Sequence, residues 1–386
     1  MNTSVASIQV RDTRDCRPSS VVRRSNKPFK VERNQTQLQT QLQYTPRNSS
    51  NQWKRQSHSD AKSNSSQICK YWMNGNCVYG DRCWNLHSWF HGEHLSVLTR
   101  LNEHKKIVTG ITLPVGSDKL FSCSTDGTLR MWDCHTGQCV HVKNLGDEAR
   151  CLISMGPWVI AGIRNAIKAW NIQTDTEVTL DGPKGHVLSM FDCNDTLFAG
   201  AMDGVIYAWR LSSEANFPFK PLAMLNGHSK AVVCLTGGRG DKMYSGSIDH
   251  SIKVWDLNTL QCMMTLKGHT DVVTSLICWD QYLLSSSLDG TVKVWGVTEK
   301  ETLEVVYTHN EKNGVVRMNG MIDAKGKHTL FCSSNNHSVG LYEMPTFEAR
   351  GRLFSKQEIG VIEEGPHGLF FTGDGTGLLT VWKWLA

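Results

Sequence analysis

The sequence predicts a mainly β protein, in which a repeated domain follows a small metal-held segment and a disordered basic arm. From residue 95 onwards, aromatic residues that close β-like runs recur every 38 to 47 residues of the 386-residue chain. Three cysteines and a histidine are concentrated in the 19 residues at 69–87. The first 68 residues are polar and carry twelve Lys and Arg against four Asp and Glu. Together these observations predict more than one structural unit.

The concentrated cysteines and histidine point to a metal site. The stretch from Cys69 to His87 reads Cys-x7-Cys-x5-Cys-x3-His. Zinc prefers four tetrahedral ligands of sulfur and nitrogen, and this set supplies them. Because so short a segment cannot bury enough apolar surface to fold alone, the metal must stabilise it. The sequence therefore predicts one structural zinc ion. Its predicted ligands are Cys69, Cys77, Cys83 and His87.

This spacing resembles the CCCH zinc-finger family. In that family a small zinc-held knuckle binds single-stranded RNA, with bases inserted between aromatic rings. Trp72, Tyr79 and Gly80 match the family pattern. The aromatic residue usually found two positions after the third cysteine is Asn85 here, with Trp84 beside it. The resemblance implies single-strand binding in which one stacking surface is lost or displaced by one residue.

The residues around the ligands favour nucleic-acid binding on chemical grounds as well. Stacking of a base on an aromatic face contributes ~1–3 kcal/mol, and lysine and arginine attract phosphates. An alternative role for these rings is to pack the knuckle around its metal. The predicted nucleic-acid-binding residues are Lys70, Tyr71, Trp72, Tyr79, Arg82 and Trp84.

Residues 1–62 are predicted to be a disordered basic arm, and residues 63–90 to be the finger. The arm contains the run QTQLQTQLQ, which has too little apolar surface to offset the entropy of ordering. Residues 1–68 carry a charge of 12 − 4 = +8, whereas the whole chain carries +5. A basic arm fits a nucleic-acid partner or an ordinary solvated tail, and charge alone does not separate the two.

From Leu95 onwards the repeat is the dominant signal. The period of about 40 residues, Gly-His pairs such as Gly227-His228, and turns such as Thr-Asp-Gly at 125–127 resemble the WD40 family. Members of that family fold as β-propellers, so the resemblance implies a propeller over residues 95–386. The closing aromatic residues predict seven blades. They are Trp132, Trp170, Trp209, Trp255, Trp295, Tyr342 and Trp382.

The WD40 resemblance also implies a buried polar relay in the most regular blades. An aspartate accepts hydrogen bonds in a tight turn, and a histidine bridges it to a serine hydroxyl beside a tryptophan. Blades two, three and six have Arg164, Ala199 and Asn336 at relay positions, so they are expected to be held by packing alone. The relay residues are assigned a structural role. They are His104, Ser122, Asp126 and Trp132; His228, Ser245, Asp249 and Trp255; and His269, Ser285, Asp289 and Trp295.

The two ends of the repeated region predict how the ring closes. A blade has four strands, but the last blade supplies only three before the sequence stops. Residues 95–101, LSVLTRL, are expected to add the missing outer strand and so to cover an exposed sheet edge. Trp89 and Phe90 lie in the short linker between finger and ring, from which we expect the finger to dock on the ring.

The order of basic arm, CCCH finger and WD40 repeats resembles plant zinc-finger and WD40-repeat proteins. The resemblance implies a zinc-dependent protein that binds single-stranded RNA or DNA, with RNA favoured, and recruits unidentified proteins through its propeller. The alternative is a pure interaction scaffold, for example a ubiquitin-ligase adaptor, with a structural finger. No nucleophile elbow or phosphate loop occurs, so neither catalysis nor a small-molecule substrate is predicted. Without a signal pattern or a run of ~18 apolar residues, we expect no membrane association and a nuclear or cytoplasmic location.

Overall fold

The computed structural model describes residues 67–92, 95–212, 218–299, 302–323 and 325–385. The predicted disordered arm at residues 1–62 lies outside these residues. The described chain divides into two compact units, a small one that ends at Ser88 and a large one that begins at Trp89. No helix among the described residues has the length and apolar character needed to cross a membrane.

Residues 67–88, the described part of the small unit, contain little regular structure. A single helical turn, α1 (Lys70–Met73), and a 3-10 turn (Gly80–Arg82) are its helical segments among the described residues. The two ends of this described part are joined by a parallel bridge between Ile68 and Leu86. The Cys69 N–H donates to the Leu86 carbonyl and the Leu86 N–H to the Gln67 carbonyl, both at 2.9 Å.

The large unit consists of antiparallel strands, which we number in chain order and group into repeats one to seven. Two strands precede the groups: β1 (Phe90–Gly92) and β2 (Leu95–Leu101). Repeat one contains β3 (Val108–Thr112), β4 (Lys119–Ser124), β5 (Thr128–Asp133) and β6 (Cys139–Asn144). Repeats two and three contain β7 (Cys151–Met155), β8 (Trp158–Gly162), β9 (Arg164–Asn171), β10 (Glu177–Cys193), β11 (Thr196–Ala201), β12 (Ile206–Leu211) and β13 (Phe219–Leu225).

The remaining groups have the same plan. Repeat four contains β14 (Val232–Gly237), β15 (Lys242–Ser247), β16 (Ser251–Asp256) and β17 (Cys262–Lys267). Repeat five contains β18 (Val273–Trp279), β19 (Tyr282–Ser287), β20 (Thr291–Val297) and β21 (Leu303–Asn310). Repeat six contains β22 (Val315–Ile322), β23 (His328–Ser334), β24 (Ser338–Glu343) and β25 (Glu348–Phe354). Repeat seven contains β26 (Ile359–Glu364), β27 (Leu369–Asp374) and β28 (Leu379–Trp384). The mainly β fold predicted from the sequence is confirmed.

The long strand β10 belongs to two repeats at once. Its first part pairs with β9 of repeat two, and from Val187 onwards it pairs with β11 of repeat three. This sharing joins repeats two and three into one seven-stranded sheet. Seven repeats are therefore contained in six sheets.

The inner strands of the repeats, which are the first strand of each group, contact one another in a closed cycle. The cycle runs β3, β7, β10, β14, β18, β22, β26 and back to β3. Repeat seven obtains its fourth strand from β2, which pairs with β28 from Leu95–Trp384 to Leu101–Leu379. The chain is thus closed into a ring by a strand that precedes repeat one in sequence.

The segment just before β2 is also built into the large unit. Strand β1 pairs with β25 as a fifth strand of the repeat-six sheet. Trp89 and Phe90 pack against the apolar cluster shared by repeats six and seven. Their close approach depends on Gly351, because a Cβ there would lie 2.7 Å from the His91 carbonyl oxygen.

Candidate metal centre and nucleic-acid surface

The four predicted zinc ligands lie together in the small unit. One ligand atom from each of Cys69, Cys77, Cys83 and His87 lies within 4.8 Å of all the others. A tetrahedral zinc ion with Zn–S distances of about 2.3 Å separates its ligand atoms by roughly 3.5–3.8 Å. Metal binding therefore needs only a small contraction of this cluster. The predicted zinc site is confirmed, with these residues positioned to bind one ion.

The local fold positions the first ligand at a helix terminus. Cys69 is the N-cap of α1, and its sulfur accepts a hydrogen bond from the Trp72 N–H at 3.4 Å. The helix stops after one turn, because the chain reverses at Gly75, whose φ of +74° favours glycine. The bridge between Ile68 and Leu86 then brings the end of the segment, and with it His87, back to Cys69.

The surroundings of the thiols shift the pKa values of Cys69 and Cys83 in opposite directions. Burial raises the pKa of Cys69, but the Trp72 N–H, His87 and the neighbouring thiols outweigh burial and lower this pKa to about 7. The Asn85 backbone N–H lowers the pKa of Cys83, whereas burial and the two other cysteines raise it, and the net shift is upward. Three adjacent thiolates repel one another unless a positive ion lies between them.

The histidine supplies an independent test of the fit. Its Nε2 atom is buried and has no hydrogen-bond partner among the described residues. A buried nitrogen without a partner costs ~1–3 kcal/mol, and a ring that also offers a nitrogen to the cluster of three sulfur atoms suits a metal ligand. The ring is held from its face by Trp72, with ring centroids 5.6 Å apart and planes inclined by 14°.

The predicted nucleic-acid-binding residues have different surroundings. Tyr71, Tyr79 and Trp84 leave 70%, 65% and 83% of their surface exposed. Lys70 and Arg82 are exposed as well. Trp72 is half-buried and lies against His87. These six residues therefore present three exposed rings and two exposed cations, whereas Trp72 supports a metal ligand.

In the large unit, the structure joins the predicted relay residues in repeats one, four and five. In repeat four, His228 Nδ1 lies 2.8 Å from the Asp249 carboxylate and Nε2 lies 2.7 Å from Ser245 Oγ. The Trp255 indole N–H donates to the same serine oxygen at 2.8 Å. Equivalent contacts at 2.7–3.0 Å join the residues of the other two relays: His104, Ser122, Asp126 and Trp132, and His269, Ser285, Asp289 and Trp295.

The pKa shifts of the histidine and the aspartate determine which atoms of each relay donate and which accept hydrogen bonds. Burial lowers the pKa of His104, His228 and His269 more than their aspartate partners raise it. Each imidazole is therefore neutral near pH 7, with Nδ1–H donating to the carboxylate and Nε2 accepting from the serine. Burial raises the pKa of Asp249, but hydrogen bonds from Ser251 and His228 outweigh it and lower that pKa to about 2. The relay is a satisfied buried network.

The expectation that repeats two, three and six are held by packing alone is wrong. The Trp170 indole N–H donates to Asp175 at 2.8 Å. The Tyr207 hydroxyl donates to Asp203 at 2.7 Å, and Ser338 donates to Asn336 at 2.7 Å. Each of these repeats replaces the relay with a different side-chain hydrogen bond, because its buried polar atoms need partners too.

Strand register identifies a residue that takes the place of the relay histidine in repeat six and that the sequence pattern missed. Each relay histidine lies four residues before the first paired residue of its inner strand, as His228 does before Val232. In repeat six that position holds Glu311, which precedes Val315 by four residues and accepts a hydrogen bond from the Tyr342 hydroxyl. Tyrosine in the tryptophan position, paired with glutamate in the histidine position, is the signal that could have revealed this exchange.

The same register shows that His186 is not a relay histidine. It lies one residue before Val187, which corresponds to Val232, and Pro183 occupies the relay position. Its Nδ1 atom is buried and has no partner among the described residues. The Gly185-His186 pair therefore resembles the other Gly-His pairs in sequence only.

Two protein families match this chain, one in the finger and the other in the repeats. The "Zinc finger domain" family of the CCCH type matches residues 69–87. The "WD domain, G-beta repeat" family matches residues 95–133, 219–256 and 260–296. These three segments contain most of repeats one, four and five, the repeats with a complete relay.

The chain is also similar to curated plant proteins over most of its length. It is 54% identical to zinc finger CCCH domain-containing protein 17 of Oryza sativa subsp. japonica over 317 residues, which is 82% of this chain and 72% of that protein. It is 51% identical to zinc finger CCCH domain-containing protein 48 of Arabidopsis thaliana, over 86% of this chain and 77% of that protein. It is also 51% identical to zinc finger CCCH domain-containing protein 62 of Arabidopsis thaliana, over 82% of this chain and 76% of that protein. The chain therefore belongs to the family of zinc finger CCCH domain-containing proteins, and its finger precedes WD40 repeats.

Proposed function

We propose that the zinc finger binds single-stranded nucleic acid, with RNA favoured over DNA. The observation that carries this proposal is the exposure of Tyr71, Tyr79 and Trp84 around the ligand cluster. Large aromatic side chains are usually buried in packed structures, so three exposed rings in one small segment indicate a contact surface. Each ring that stacks on a base contributes ~1–3 kcal/mol.

The exposed cations complement the rings. Lys70 lies beside Tyr71 in sequence, and Arg82 lies two residues before Trp84. Attraction of the phosphate backbone to these side chains adds affinity that falls with salt, whereas stacking adds affinity that persists. Single-stranded RNA exposes both features, because its unstacked bases and its phosphates are accessible together. Zinc supplies the folding energy of the finger and takes no part in a reaction.

We further propose that residues 95–386 form a seven-bladed propeller that recruits proteins. The closed cycle of inner strands and the completion of repeat seven by β2 support this assignment. No catalytic role is proposed, because three thiols and an imidazole supply all four ligands of a closed tetrahedral zinc site. A reducing nuclear or cytoplasmic compartment remains our proposal for the location, since it preserves the zinc thiolates.

Fluorescence anisotropy tests the binding proposal directly. Short single-stranded RNA and DNA pools are titrated with the intact chain and with Cys83→Ser at two salt concentrations. We expect Cys83→Ser to abolish the salt-insensitive part of the affinity, because the finger no longer orders its rings. Cys262→Ser is the matched control, since that exposed thiol lies outside the ligand cluster. Equal binding by both variants, lost at high salt, would show that only nonspecific charge holds nucleic acid and would favour the scaffold function.

A further inference from the structure

In each repeat, one cross-strand pair joins the residue two positions before the closing aromatic residue to the outer, fourth strand. In repeat seven this pair is Thr380, two residues before Trp382, with Arg100 on β2. A cation occupies the pair in every repeat except repeat three. These pairs therefore allow six cations to be compared in one structural position. The seven pairs, in repeat order, are Arg130–Val142, Lys168–Thr179, Tyr207–Met224, Lys253–Thr265, Lys293–Thr308, Gly340–Arg352 and Thr380–Arg100.

Five of these six cations have a polar partner within the protein. Two form ion pairs with glutamates, and three donate hydrogen bonds to the hydroxyl groups of serine or threonine. The repeats thus use most cations at this position for internal contacts. The partners, at distances of 2.8–3.6 Å, are Arg130–Glu103, Lys168–Glu177, Lys253–Thr265, Lys293–Thr308 and Arg352–Ser338.

Arg100 of repeat seven is the one cation of the six without such a partner. It is exposed, and it forms no ion pair or side-chain hydrogen bond with any residue that the structure describes. Its guanidinium carbon lies 5.1 Å from the centre of the Trp89 ring. Because arginine remains charged and carries five N–H donors, Arg100 retains its whole capacity to bind an anion.

Contact with a tryptophan ring does not by itself explain the lack of a carboxylate partner. Among the described residues, two other cations lie over tryptophan rings at 5.0 and 5.1 Å, and each also forms an ion pair at 2.6–2.8 Å. Only the cation on Trp89 is left without a countercharge in that part of the chain. The two neutralised pairs are Lys143 over Trp170, with Glu177, and Arg350 over Trp384, with Asp323.

The surroundings of Trp89 hold the Arg100 guanidinium in place. Trp89 packs against the apolar cluster shared by repeats six and seven, and its carbonyl accepts a hydrogen bond from the Phe354 N–H at 2.9 Å. The ring is therefore anchored on both its side-chain and its backbone atoms. A guanidinium held against an anchored ring loses less conformational freedom when it binds an anion than a free side chain does.

The position of Trp89 in the sequence connects this arginine to the finger. Trp89 follows the predicted zinc ligand His87 by two residues. Two residues of fully extended chain span ~7 Å. A single strand bound by the finger is therefore tethered within a short length of chain from Trp89, which raises the effective concentration of its phosphates there.

We propose that Arg100 binds a backbone phosphate of the single strand that the finger holds, as a second nucleic-acid contact on the repeats. This inference rests on the proposed function of the finger and extends it to a residue outside the zinc-binding segment. Arginine donates paired N–H groups to phosphate oxygens, and its plane also stacks on unpaired bases. An acidic peptide fits less well, because an isolated arginine gives it little affinity, whereas a strand already bound by the finger presents its phosphates nearby.

Fluorescence anisotropy at several salt concentrations tests this assignment on the full chain. The probe is a labelled oligouridylate longer than the few bases that one finger spans. Arg100→Glu should weaken binding about tenfold at low salt, because it replaces a phosphate contact with a repulsion. Arg100→Gln should weaken it several-fold and reduce the slope of log affinity against log salt by roughly 0.7, as expected for one phosphate contact on a single strand.

Lys383→Glu is the matched control for charge. Lys383 is exposed and lies on β28, the strand that pairs with β2. It lies between Trp382 and Trp384, which belong to the apolar cluster that Trp89 contacts, so its side chain points to the opposite face of the sheet. The control variant should retain the affinity and the salt slope. Melting temperatures show whether each variant folds, and Arg100→Gln is decisive if Arg100→Glu does not.

The outcomes separate this proposal from the function of the finger. Unchanged affinity and slope in Arg100→Gln, with the salt-insensitive affinity lost in Cys83→Ser, would overturn the role of Arg100 and leave the finger as the binding site. Equal losses in Arg100→Glu and Lys383→Glu would also overturn it, because general charge would then be responsible. A reduced slope in Arg100→Gln, with unchanged affinity in Trp84→Ala, would retain the Arg100 contact and argue against stacking by the finger.

A labelled polyglutamate peptide distinguishes the other class of partner. We expect Arg100→Glu to leave its binding to the full chain unchanged while oligouridylate binding weakens. The reverse result, in which peptide affinity falls and oligouridylate affinity is retained, would assign Arg100 to an acidic protein and overturn the proposal.

Discussion

The finger and the repeats use the same aromatic residue types in opposite ways. In repeats one, four and five, Trp132, Trp255 and Trp295 are 1–2% exposed, and each donates its indole N–H to a relay serine. In the finger, Trp84 is 83% exposed. A large apolar core surrounds the repeat tryptophans, whereas the described residues of the finger are gathered around a metal site. Aromatic side chains thus stabilise the repeats, and in the finger they remain available for a ligand.

Removal of zinc is expected to have the largest effect, and to destabilise the finger without destabilising the repeats. Structural zinc contributes on the order of 10–16 kcal/mol of apparent binding energy in finger peptides, far more than any other interaction in this segment. Chelation or Cys83→Ser should therefore unfold the finger and leave the melting temperature of the repeats nearly unchanged. Differential scanning calorimetry with and without chelator measures both. A common collapse of the two transitions would contradict the division into a metal-held and a packed unit.

Loss of a relay serine is expected to have the next largest effect, confined to the repeats. Ser245→Ala leaves both His228 Nε2 and Trp255 Nε1 without a buried partner. At ~1–3 kcal/mol for each group, the repeats should lose roughly 2–6 kcal/mol of unfolding free energy. Urea unfolding measures this change.

The matched control is Ser229→Ala, since Ser229 is exposed and contributes only its backbone N–H to Asp249. Its unfolding free energy should match that of the unchanged protein. Equal stability of Ser245→Ala and Ser229→Ala would show that the relay is dispensable and that packing alone holds the repeat.

The smallest effects are expected for the replacement of either of two tryptophans in the finger, Trp84 or Trp72. Trp84→Ala should keep zinc affinity and weaken single-strand binding by ~1–3 kcal/mol, because it removes an exposed stacking surface. Trp72→Ala should weaken zinc affinity as well, since it removes the ring that orients His87. Competition with a chromogenic chelator and RNA anisotropy distinguish the two. A loss of zinc affinity in Trp84→Ala, with none in Trp72→Ala, would reverse the assigned roles.

Much of this organisation is predictable from the sequence because it depends on residue chemistry at fixed spacing. Three thiols and an imidazole within 19 residues specify the metal ligands by their chemistry and spacing alone. The recurring tryptophans reveal the repeats, since each occupies the same buried position. The relays of repeats one, four and five are detectable because every one of their residues is retained.

The features that escaped prediction depend on strand register or on paired substitutions. The Gly185-His186 pair matches a motif, but His186 lies only one residue before Val187, so Pro183 holds the relay position four residues before it. Glu311 and Tyr342 replace a histidine and a tryptophan together, so neither matches the pattern alone. The roles of Trp72 and Trp84 differ because one lies against His87 and the other faces solvent, which residue type does not reveal.

Indole N–H signals in a ¹H–¹⁵N spectrum test the contrast between finger and repeats most directly. The chain has thirteen tryptophans, so buried and exposed indoles are observed in one sample. On addition of short single-stranded RNA, we expect the Trp84 signal to shift while those of Trp132, Trp255 and Trp295 stay in place. Assignment uses the Trp84→Ala spectrum. Shifts confined to the repeat tryptophans, with Trp84 unchanged, would contradict the assignment of nucleic-acid binding to the finger.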